Sequence, residues 1–384
     1  MDATVEHIEA NLHGNVAFVL LEDGEIFDEY FASVGDPVDR DTVFQVASLS
    51  KWITAWGIMT LIDDGTLDLD VPVSIYLTRW QLPESEYDND GVTVRRLLSH
   101  TAGLTDGLGY AGFPPGTPIQ TLEESMAQPN SSSPEEDHTI RVGLEPGAQF
   151  EYSGGGYTIL QLVIEEVTRG TFESYIEQAV FEPLGMMHSS HVLDERNSSN
   201  QAASYQLDGT MVDRHNWTNT GAASFYTSAS DMVRFVQAHI TGADGEAVGR
   251  GALTTDAVTQ KREPQASVMG MDIWGLGDIL LAPNKAGGFV IGGAGIRAKP
   301  AINADVRINP ATGNGIVILQ TGNRALATDL ASEWTFWETG RLDLMLVHAS
   351  ADSIVKIIAA GWLSILVASL MAGRWSRRRA KARL

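Results

Sequence analysis

Residues 44–65, FQVASLSKWITAWGIMTLIDDG, contain a predicted helix that is apolar on nearly every face. Such a helix has to be covered by other parts of the fold, because no face of it suits water. Gly65 closes the helix, and Ser48 stands where it begins, three residues before Lys51. Residues three apart share a face of a helix, so the Lys51 amine can reach the Ser48 hydroxyl.

Ser48 and Lys51 have the chemistry of a nucleophile and its base. A serine hydroxyl needs a base to become nucleophilic, and removal from water favours the neutral, basic form of an amine. Backbone N–H groups at a helix N-terminus can also stabilise an oxyanion. The alternative is that Lys51 extends to the surface, and an S-x-x-K pattern arises by chance roughly once in a chain of this length, so the pattern needs support from its surroundings.

The order of the other predicted elements indicates an α/β fold of the α+β type. Strand pairs are predicted at 15–35, around Asp23-Gly24, and at 301–323, and helices are predicted at 92–107 (a short helix and a turn), 157–170, 227–240 and 325–340. Residues 107–149, rich in Gly, Pro and Ser, are predicted to form a long surface excursion that could act as a lid. We therefore expect the two chain ends to pair in an antiparallel sheet flanked by helices, beside a mostly helical region, with a site in the cleft between them.

The charge of the chain excludes one class of partner. From Ser353 onward there are seven Lys and Arg residues and no acidic residue, so residues 1–352 carry 19 basic and 49 acidic groups, a net charge of −30. This charge repels phosphate backbones, which argues against nucleic acid as a partner. The absence of cysteine excludes disulfides, thiolate metal sites and a cysteine nucleophile.

The C-terminal region is predicted to attach the protein to a membrane. Residues 353–373, SIVKIIAAGWLSILVASLMAG, have the length and hydrophobicity of a transmembrane helix, and residues 374–384 form a basic tail expected to be cytoplasmic. The alternative is a buried or amphipathic C-terminal helix. The N-terminal MDATVEHIEANLHG does not resemble a signal peptide. Either a leader has been removed and the soluble domain is extracytoplasmic (periplasmic or extracellular), which is the expectation favoured here, or the domain is cytoplasmic on a tail anchor.

Three sequence blocks in a fixed order point to a known family. FQVASLSKWITA is followed by VTVRRLLSHTAGL and then by FEYSGGGYTILQLVIEEVTRGTFESYIEQAVFEPLGM. The chain resembles the serine β-lactamase and penicillin-binding-protein superfamily, nearest to class C β-lactamases, D-Ala-D-Ala carboxypeptidases and related esterases, from about residue 7 to residue 340. The resemblance implies a β-lactamase/transpeptidase-like fold, with a serine hydrolase domain at 1–345 and a linker at 346–352 before the membrane segment.

The resemblance also assigns the main catalytic residues. Ser48 matches the acylated nucleophile, Lys51 its partner, and Tyr152 the tyrosine of the Y-x-N motif, which relays a proton to or from Ser48 and the leaving group. The third position of that motif is Gly154 instead of the usual asparagine, so the amide that would hold Lys51 and the substrate carbonyl is absent.

The third family motif, K-T-G or H-x-G on a strand beside the site, departs more strongly. Counting back from KPAIN places its basic residue at Ala294, followed by Gly295, whereas aligning on Gly-Gly places it at Ile291. Neither position is basic, and Arg297 or Lys299 is the candidate substitute. Backbone N–H groups survive such changes, so the strand near 294–297 is still expected to complete an oxyanion hole.

The expected function is that of a membrane-anchored serine hydrolase acting on an amide or ester: a D-amino-acid peptide, a small peptide, an ester or a β-lactam, the last being least favoured. No cofactor is expected, and the histidine spacings match no zinc motif; in the resembling family His100 belongs to a structural turn. A non-catalytic peptidoglycan-binding or regulatory module is the alternative, and a part of a multi-span membrane protein is another. Oligomeric state is left open.

Overall fold

A computed structural model describes residues 2–107, 109–131, 138–193 and 199–347, together with residues 362 and 369. The α-helices in these ranges are α1 (Asp2–Ala10), α2 (Ser50–Asp63), α3 (Val94–Leu98), α4 (Leu122–Ala127), α5 (Gly154–Thr168), α6 (Phe172–Ile176), α7 (Glu182–Leu184), α8 (Thr220–Ala223), α9 (Ala229–Gln237), α10 (Thr255–Lys261) and α11 (Leu326–Thr339). The strands are β1 (Asn15–Glu22), β2 (Glu25–Ser33), β3 (Phe44–Gln45), β4 (Ser204–Tyr205), β5 (Met211–Val212), β6 (Tyr226–Thr227), β7 (Ala266–Val268), β8 (Met271–Trp274), β9 (Ile279–Pro283), β10 (Phe289–Ala298), β11 (Ala301–Ile308) and β12 (Gly315–Thr321).

The two ends of the chain meet in one antiparallel sheet, as predicted. Its order is β2-β1-β12-β11-β10-β9-β8-β7, with β4 and β5 attached at the end of β11. N-terminal β1 pairs with C-terminal β12 from Val16 opposite Gln320 to Leu21 opposite Gly315. The hairpin between β1 and β2 turns at Asp23 and Gly24, whose φ angles are +51° and +83°. Positive φ at both turn residues suits the twist of a tight hairpin.

Helix α2 is the central element of the core. Eleven of its fourteen residues are buried, Lys51 among them, because it lies between the sheet on one side and the helices α5, α6 and α8 on the other. This central position explains why nearly the whole sequence of α2 is apolar. The helices predicted at 157–170, 227–240 and 325–340 are confirmed as α5, α9 and α11.

Two predicted elements differ in detail from the structure. The helix predicted to begin at Ser48 is present: a 3₁₀ turn covers Ala47–Leu49 and α2 continues from Ser50, after the short strand β3. The region 107–149 is not only a surface excursion, because in its described parts an α-helix forms at 122–127 and several apolar side chains join the core. Leu122, Met126 and Ile140 are examples of these buried side chains.

The C-terminal predictions lie almost wholly outside the described residues. Within the described ranges, no helix combines the length and the hydrophobicity needed to cross a membrane. The span predicted at 353–373 and the basic tail at 374–384 fall outside those ranges except for residues 362 and 369, so both stay predictions.

Candidate active site

Ser48 lies in a strained turn that leads from a strand into α2. Ala47, immediately before it, has a φ of +48°, a left-handed conformation that residues with a side chain seldom adopt. The turn is held by its neighbours: the Val46 N–H donates to the Phe225 carbonyl at 3.0 Å, and the Ser50 hydroxyl accepts from the Phe225 N–H at 2.9 Å. Strain that is fixed by surrounding bonds is frequent at functional sites.

Lys51 is buried directly beside Ser48, as the spacing predicts. Its Nζ lies 3.4 Å from Ser48 Oγ and donates to the carbonyl of Ala222, in α8, at 2.8 Å. The residue is 5% exposed, and no carboxylate within the described ranges forms an ion pair with it. The amine is therefore held beside the Ser48 hydroxyl by a backbone contact from α8.

Tyr152 faces the same space from the loop before α5. Its ring centre is 5.2 Å from Lys51 Nζ, and the residue is 37% exposed, so its phenol is accessible to a substrate. The ring packs against the His100 imidazole, with 4.4 Å between ring centres. His100 Nδ1 accepts a hydrogen bond from the Ser153 N–H at 3.1 Å, which fixes the backbone next to Tyr152.

His100 supports this loop as a neutral imidazole. Burial lowers the pKa of His100 well below its ordinary value, and the charge that Lys51 carries when protonated lowers it further. The accepting role of Nδ1 places the proton of the neutral ring on Nε2. The sequence indicated only a structural turn here, and the structure adds that the turn holds Tyr152 in place.

Gly154, which stands where the family motif has asparagine, lies at the N-terminal end of α5. It is the first residue of α5, after the N-cap Ser153, whose hydroxyl accepts from the Gly156 N–H at 2.8 Å. Asp106 closes the same helix end by accepting from the Gly155 N–H at 3.0 Å. Gly154 is not among the described residues that line the cavity at Ser48, so we assign it no substrate contact.

Strand β10 approaches the serine turn because it contains glycines. A Cβ atom at Gly295 would lie 1.9 Å from the Val46 carbonyl oxygen and 3.0 Å from the Ser48 amide nitrogen, and one at Gly293 would lie 2.8 Å from Trp52. Strand β9 pairs with β10 only as far as Gly292. Beyond Gly292, β10 stays paired with β11, and no strand in the described part of the chain pairs with its other edge. Every second N–H along β10 points towards that free edge.

These elements enclose one cavity of about 260 Å³ that opens to solvent. The described residues that line it are Ser48, Lys51, Trp52, Tyr152, Trp274, Gly277, Ile279, Gly293, Ala294, Ile296 and Met345. Lys51 is the one charged side chain in that set, and the rest of the lining is mainly apolar. Ala294 therefore lies at the site as expected, whereas Gly295 shapes it through backbone contact.

The expected substitutes for the basic residue of the third motif do not reach this cavity. The Arg297 guanidinium packs over the Trp217 ring, 4.7 Å from its centre, and its Nε donates to the Pro300 carbonyl. Burial lowers the pKa of Arg297 to about 10. Lys299 is exposed in the turn after β10, and Ile291 is buried in the core. Interpreting Arg297 as a substrate-binding residue does not fit this geometry.

A buried ion pair lies behind the cavity and was not predicted. The Trp52 indole N–H donates to Asp278 at 2.6 Å, and Asp278 pairs with Lys261 at 2.9 Å. Although burial opposes it, the Lys261 charge holds the pKa of Asp278 below its ordinary value. The pair anchors Trp52, one wall of the cavity. Lys261 lies 210 positions after Lys51, and no motif in the sequence links it to the site.

Three further residues at the site were also missed. Trp274 and Met345 line the cavity, and the Ala222 carbonyl accepts from Lys51. A backbone carbonyl leaves no trace in a residue type, and the two side chains come from segments without a family motif. None of the described residues forms a cluster suited to a metal ion.

The chain is similar to proteins of one known family. The family model described as Beta-lactamase matches residues 1–334. Protein flp of Staphylococcus aureus (strain NCTC 8325 / PS 47) is 25% identical over 258 residues, which cover 64% of this chain and 49% of that protein. The chain thus spans about half the length of this curated relative.

Two solved structures have the same fold at low identity. The octameric penicillin-binding protein homologue from Pyrococcus abyssi superposes with a TM-score of 0.68 at 22% identity, covering 86% of this chain and 74% of that one. A beta-lactamase/D-alanine carboxypeptidase from Pseudomonas syringae gives 0.68 at 17% identity, with 88% and 97% covered. At these identities the likeness shows the fold alone.

Proposed function

This chain belongs to the Beta-lactamase family of serine hydrolases, and on that basis we propose that it hydrolyses an amide or an ester through an acyl-enzyme on Ser48. The observation that carries the proposal is the placement of the buried Lys51 amine 3.4 Å from the Ser48 hydroxyl, at a cavity open to solvent. A nucleophile and a base within reach of each other are the first requirement of such a reaction.

The reaction would proceed in two steps, acylation and deacylation. Lys51 takes the proton of Ser48 as Oγ attacks the carbonyl carbon, and the proton then passes, by way of Tyr152, to the leaving amine or alcohol as its bond to the carbonyl breaks. In the second step water attacks the acyl-enzyme, and its proton is taken up at the same pair of residues before Ser48 Oγ recovers it. The product is a carboxylic acid.

Backbone amides would stabilise the tetrahedral oxyanion. The Ser48 N–H and an N–H on the unpaired edge of β10, between Gly293 and Arg297, are the candidate donors. Two donors of this kind are the usual arrangement for acyl transfer, and loss of one costs about 10²–10³ in rate. The close approach of Gly295 to the Ser48 turn supports this assignment.

The cavity favours substrates that carry no carboxylate next to the scissile bond. Apart from Lys51, which is assigned to activation of Ser48, the described residues that line the cavity carry no cation. A carboxylate entering this apolar space would lose hydration without gaining a partner. We therefore favour an uncharged ester or amide over β-lactams and peptides with a free C-terminal carboxylate.

Covalent labelling tests the proposal directly. A fluorescent fluorophosphonate should label the wild-type protein and leave Ser48→Ala unlabelled, whereas a fluorescent penicillin should label poorly. Ser174→Ala is the control, because Ser174 is exposed on α6 and does not line the cavity, and it should still be labelled. Equal labelling of wild type and Ser48→Ala would remove the catalytic proposal and favour the non-catalytic module.

We also propose that residues 353–373 anchor the protein in a membrane with the hydrolase domain outside the cytoplasm. The support is the apolar composition of the segment and the basic tail that follows it.

A further inference from the structure

The segment after α11 returns to the sheet and contributes to the catalytic cavity. Asp343 is 2% exposed, and its carboxylate lies 2.6 Å from the Arg307 guanidinium, on β11. Two residues later, Met345 lines the cavity together with Ser48. This segment lies beyond residues 1–334, the region that the family model matches.

Asp343 links the ion pair to the position of Met345. While one carboxylate oxygen binds Arg307, the other accepts from the Met345 N–H at 2.8 Å and from the Leu346 N–H at 3.2 Å. Arg307 is itself fixed by bonds to Asp305 at 2.7 and 2.9 Å and to Thr335 at 2.8 Å. The backbone at Met345 is therefore held to the sheet through one carboxylate.

The Met345 side chain extends an apolar wall. It packs on the cluster that contains Trp274 and Ile279, which also line the cavity, and Ile296 completes this side at the mouth. Methionine is unbranched and adapts its shape to an apolar partner. The neighbouring Leu346 is 48% exposed and does not line the cavity.

We propose that Met345 determines the size of the acyl group that the enzyme accepts, and that Asp343 is the positioning residue that holds it there through Arg307. The substrate class is then an ester or amide of an uncharged, apolar acyl chain. This inference rests on the proposed acyl transfer to Ser48.

The test compares acylation by p-nitrophenyl acetate, butyrate and octanoate in the full chain, measured as release of p-nitrophenol. Met345→Ala should raise the octanoate-to-butyrate ratio of kcat/KM about tenfold, since discrimination of a few methylenes in an apolar pocket has this size. Met345→Trp should lower the same ratio. Leu346→Ala is the matched control and should leave it unchanged.

Two asparagine substitutions distinguish the placement of Met345 from a general effect on stability: Asp343→Asn and Asp305→Asn. Both weaken the bonding of Arg307, but only Asp343 also binds the backbone at Met345. We expect the chain-length ratio to change in Asp343→Asn alone, while thermal unfolding reports any loss of stability in both. The same change in both variants would overturn the positioning role of Asp343.

An unchanged chain-length ratio in Met345→Ala and Met345→Trp, with Ser48 still reactive towards fluorophosphonate, would overturn the role of Met345 and leave the proposed function standing. No reaction of wild-type Ser48 with either the esters or the fluorophosphonate would overturn the proposed function, and this inference with it.

Discussion

At the scale of single residues, the proposed reaction at Ser48 depends on how Lys51 is surrounded. Its amine has a hydroxyl at 3.4 Å and a carbonyl at 2.8 Å, while the Tyr152 and Tyr157 rings lie beside it with centres 5.2 and 5.8 Å from Nζ. The carbonyl of Ala222 orients Nζ, and the aromatic rings cover part of the side chain. These contacts explain how one lysine is accommodated on an apolar helix, and they place it where the proposed reaction at Ser48 needs a base.

Replacing Lys51 separates its basicity from its charge. Lys51→Met keeps an unbranched stem without the amine, and Lys51→Arg keeps the charge on a group that does not deprotonate in proteins. We expect both to lower kcat/KM by about 10²–10⁴, the usual contribution of a general base. Ester hydrolysis and circular dichroism check the rate and the fold. Retention of activity within tenfold in Lys51→Met would contradict the role of the amine.

The buried imidazole of His191 should make the stability of the fold depend on pH. Burial lowers the pKa of His191 to about 3, and neither ring nitrogen has a hydrogen-bond partner in the described parts of the chain. The unfolded chain binds this proton below about pH 6.5 and the folded chain does not, so stability falls as the pH is lowered through that window. Between pH 7 and pH 5, the free energy of unfolding should fall by about 2 kcal/mol less in His191→Leu than in the wild type.

Urea unfolding at the two pH values measures this difference. His7→Leu is a surface control, because His7 is exposed on α1, and it should keep the wild-type dependence. An unchanged dependence in His191→Leu would show that the buried imidazole does not oppose acid stability.

At the scale of elements, the site is formed where β10 meets the turn before α2. The approach requires glycine at 295, since any side chain would meet the Val46 carbonyl. It also requires β9 to stop pairing at Gly292, which leaves the edge of β10 unpaired at the cavity. A strand edge and a helix start thus provide amides from two directions.

Gly295→Ala should move β10 away from Ser48. The added methyl would lie 1.9 Å from the Val46 oxygen, and the shift should reduce kcat/KM about 10²-fold by misplacing an oxyanion donor. Gly288→Ala is the control, because its Cβ would meet only Asn284 at an ordinary 3.6 Å. Equal activity of the two variants would show that the close approach at Gly295 does not serve catalysis.

Elements with strong local signals were predictable, and the contacts between them were not. Asp23-Gly24 predicted the first hairpin, and the apolar periodicity of residues 157–170 predicted α5. The left-handed Ala47 was missed, because alanine does not signal positive φ and only tertiary bonds impose it. The placement of Arg297 was also missed: alternate residues of a strand face opposite sides, so a guanidinium three residues beyond Ala294 points away from the cavity.

At the scale of the whole molecule, the sheet made from both chain ends brings the C-terminal segment to the active site. Strand β12 pairs with β1, β11 and β10 follow it in the sheet, and α11 packs on β11 and β12 before the chain reaches Asp343. The cavity at Ser48 is therefore eight residues from the predicted membrane segment, at most about 29 Å of extended chain from Met345 to Ser353. A membrane at that segment would keep the cavity near its surface.

Truncation after Val347 tests the predicted anchor. This shorter chain keeps Asp343 and Met345, so its ester hydrolysis should match that of the full chain, but it should appear in the soluble fraction. The full chain should sediment with membranes and resist a high-salt wash, as expected for a segment held by apolar contact rather than by charge. The same distribution for both chains would contradict membrane insertion by residues 353–373.

Acid-quenched trapping of the acyl-enzyme tests the central claim most directly. After brief reaction with p-nitrophenyl butyrate, peptide mapping by mass spectrometry should find one butyryl group, on Ser48, and none in the Ser48→Ala protein. A butyryl group on another residue, or hydrolysis that persists in Ser48→Ala, would contradict the account.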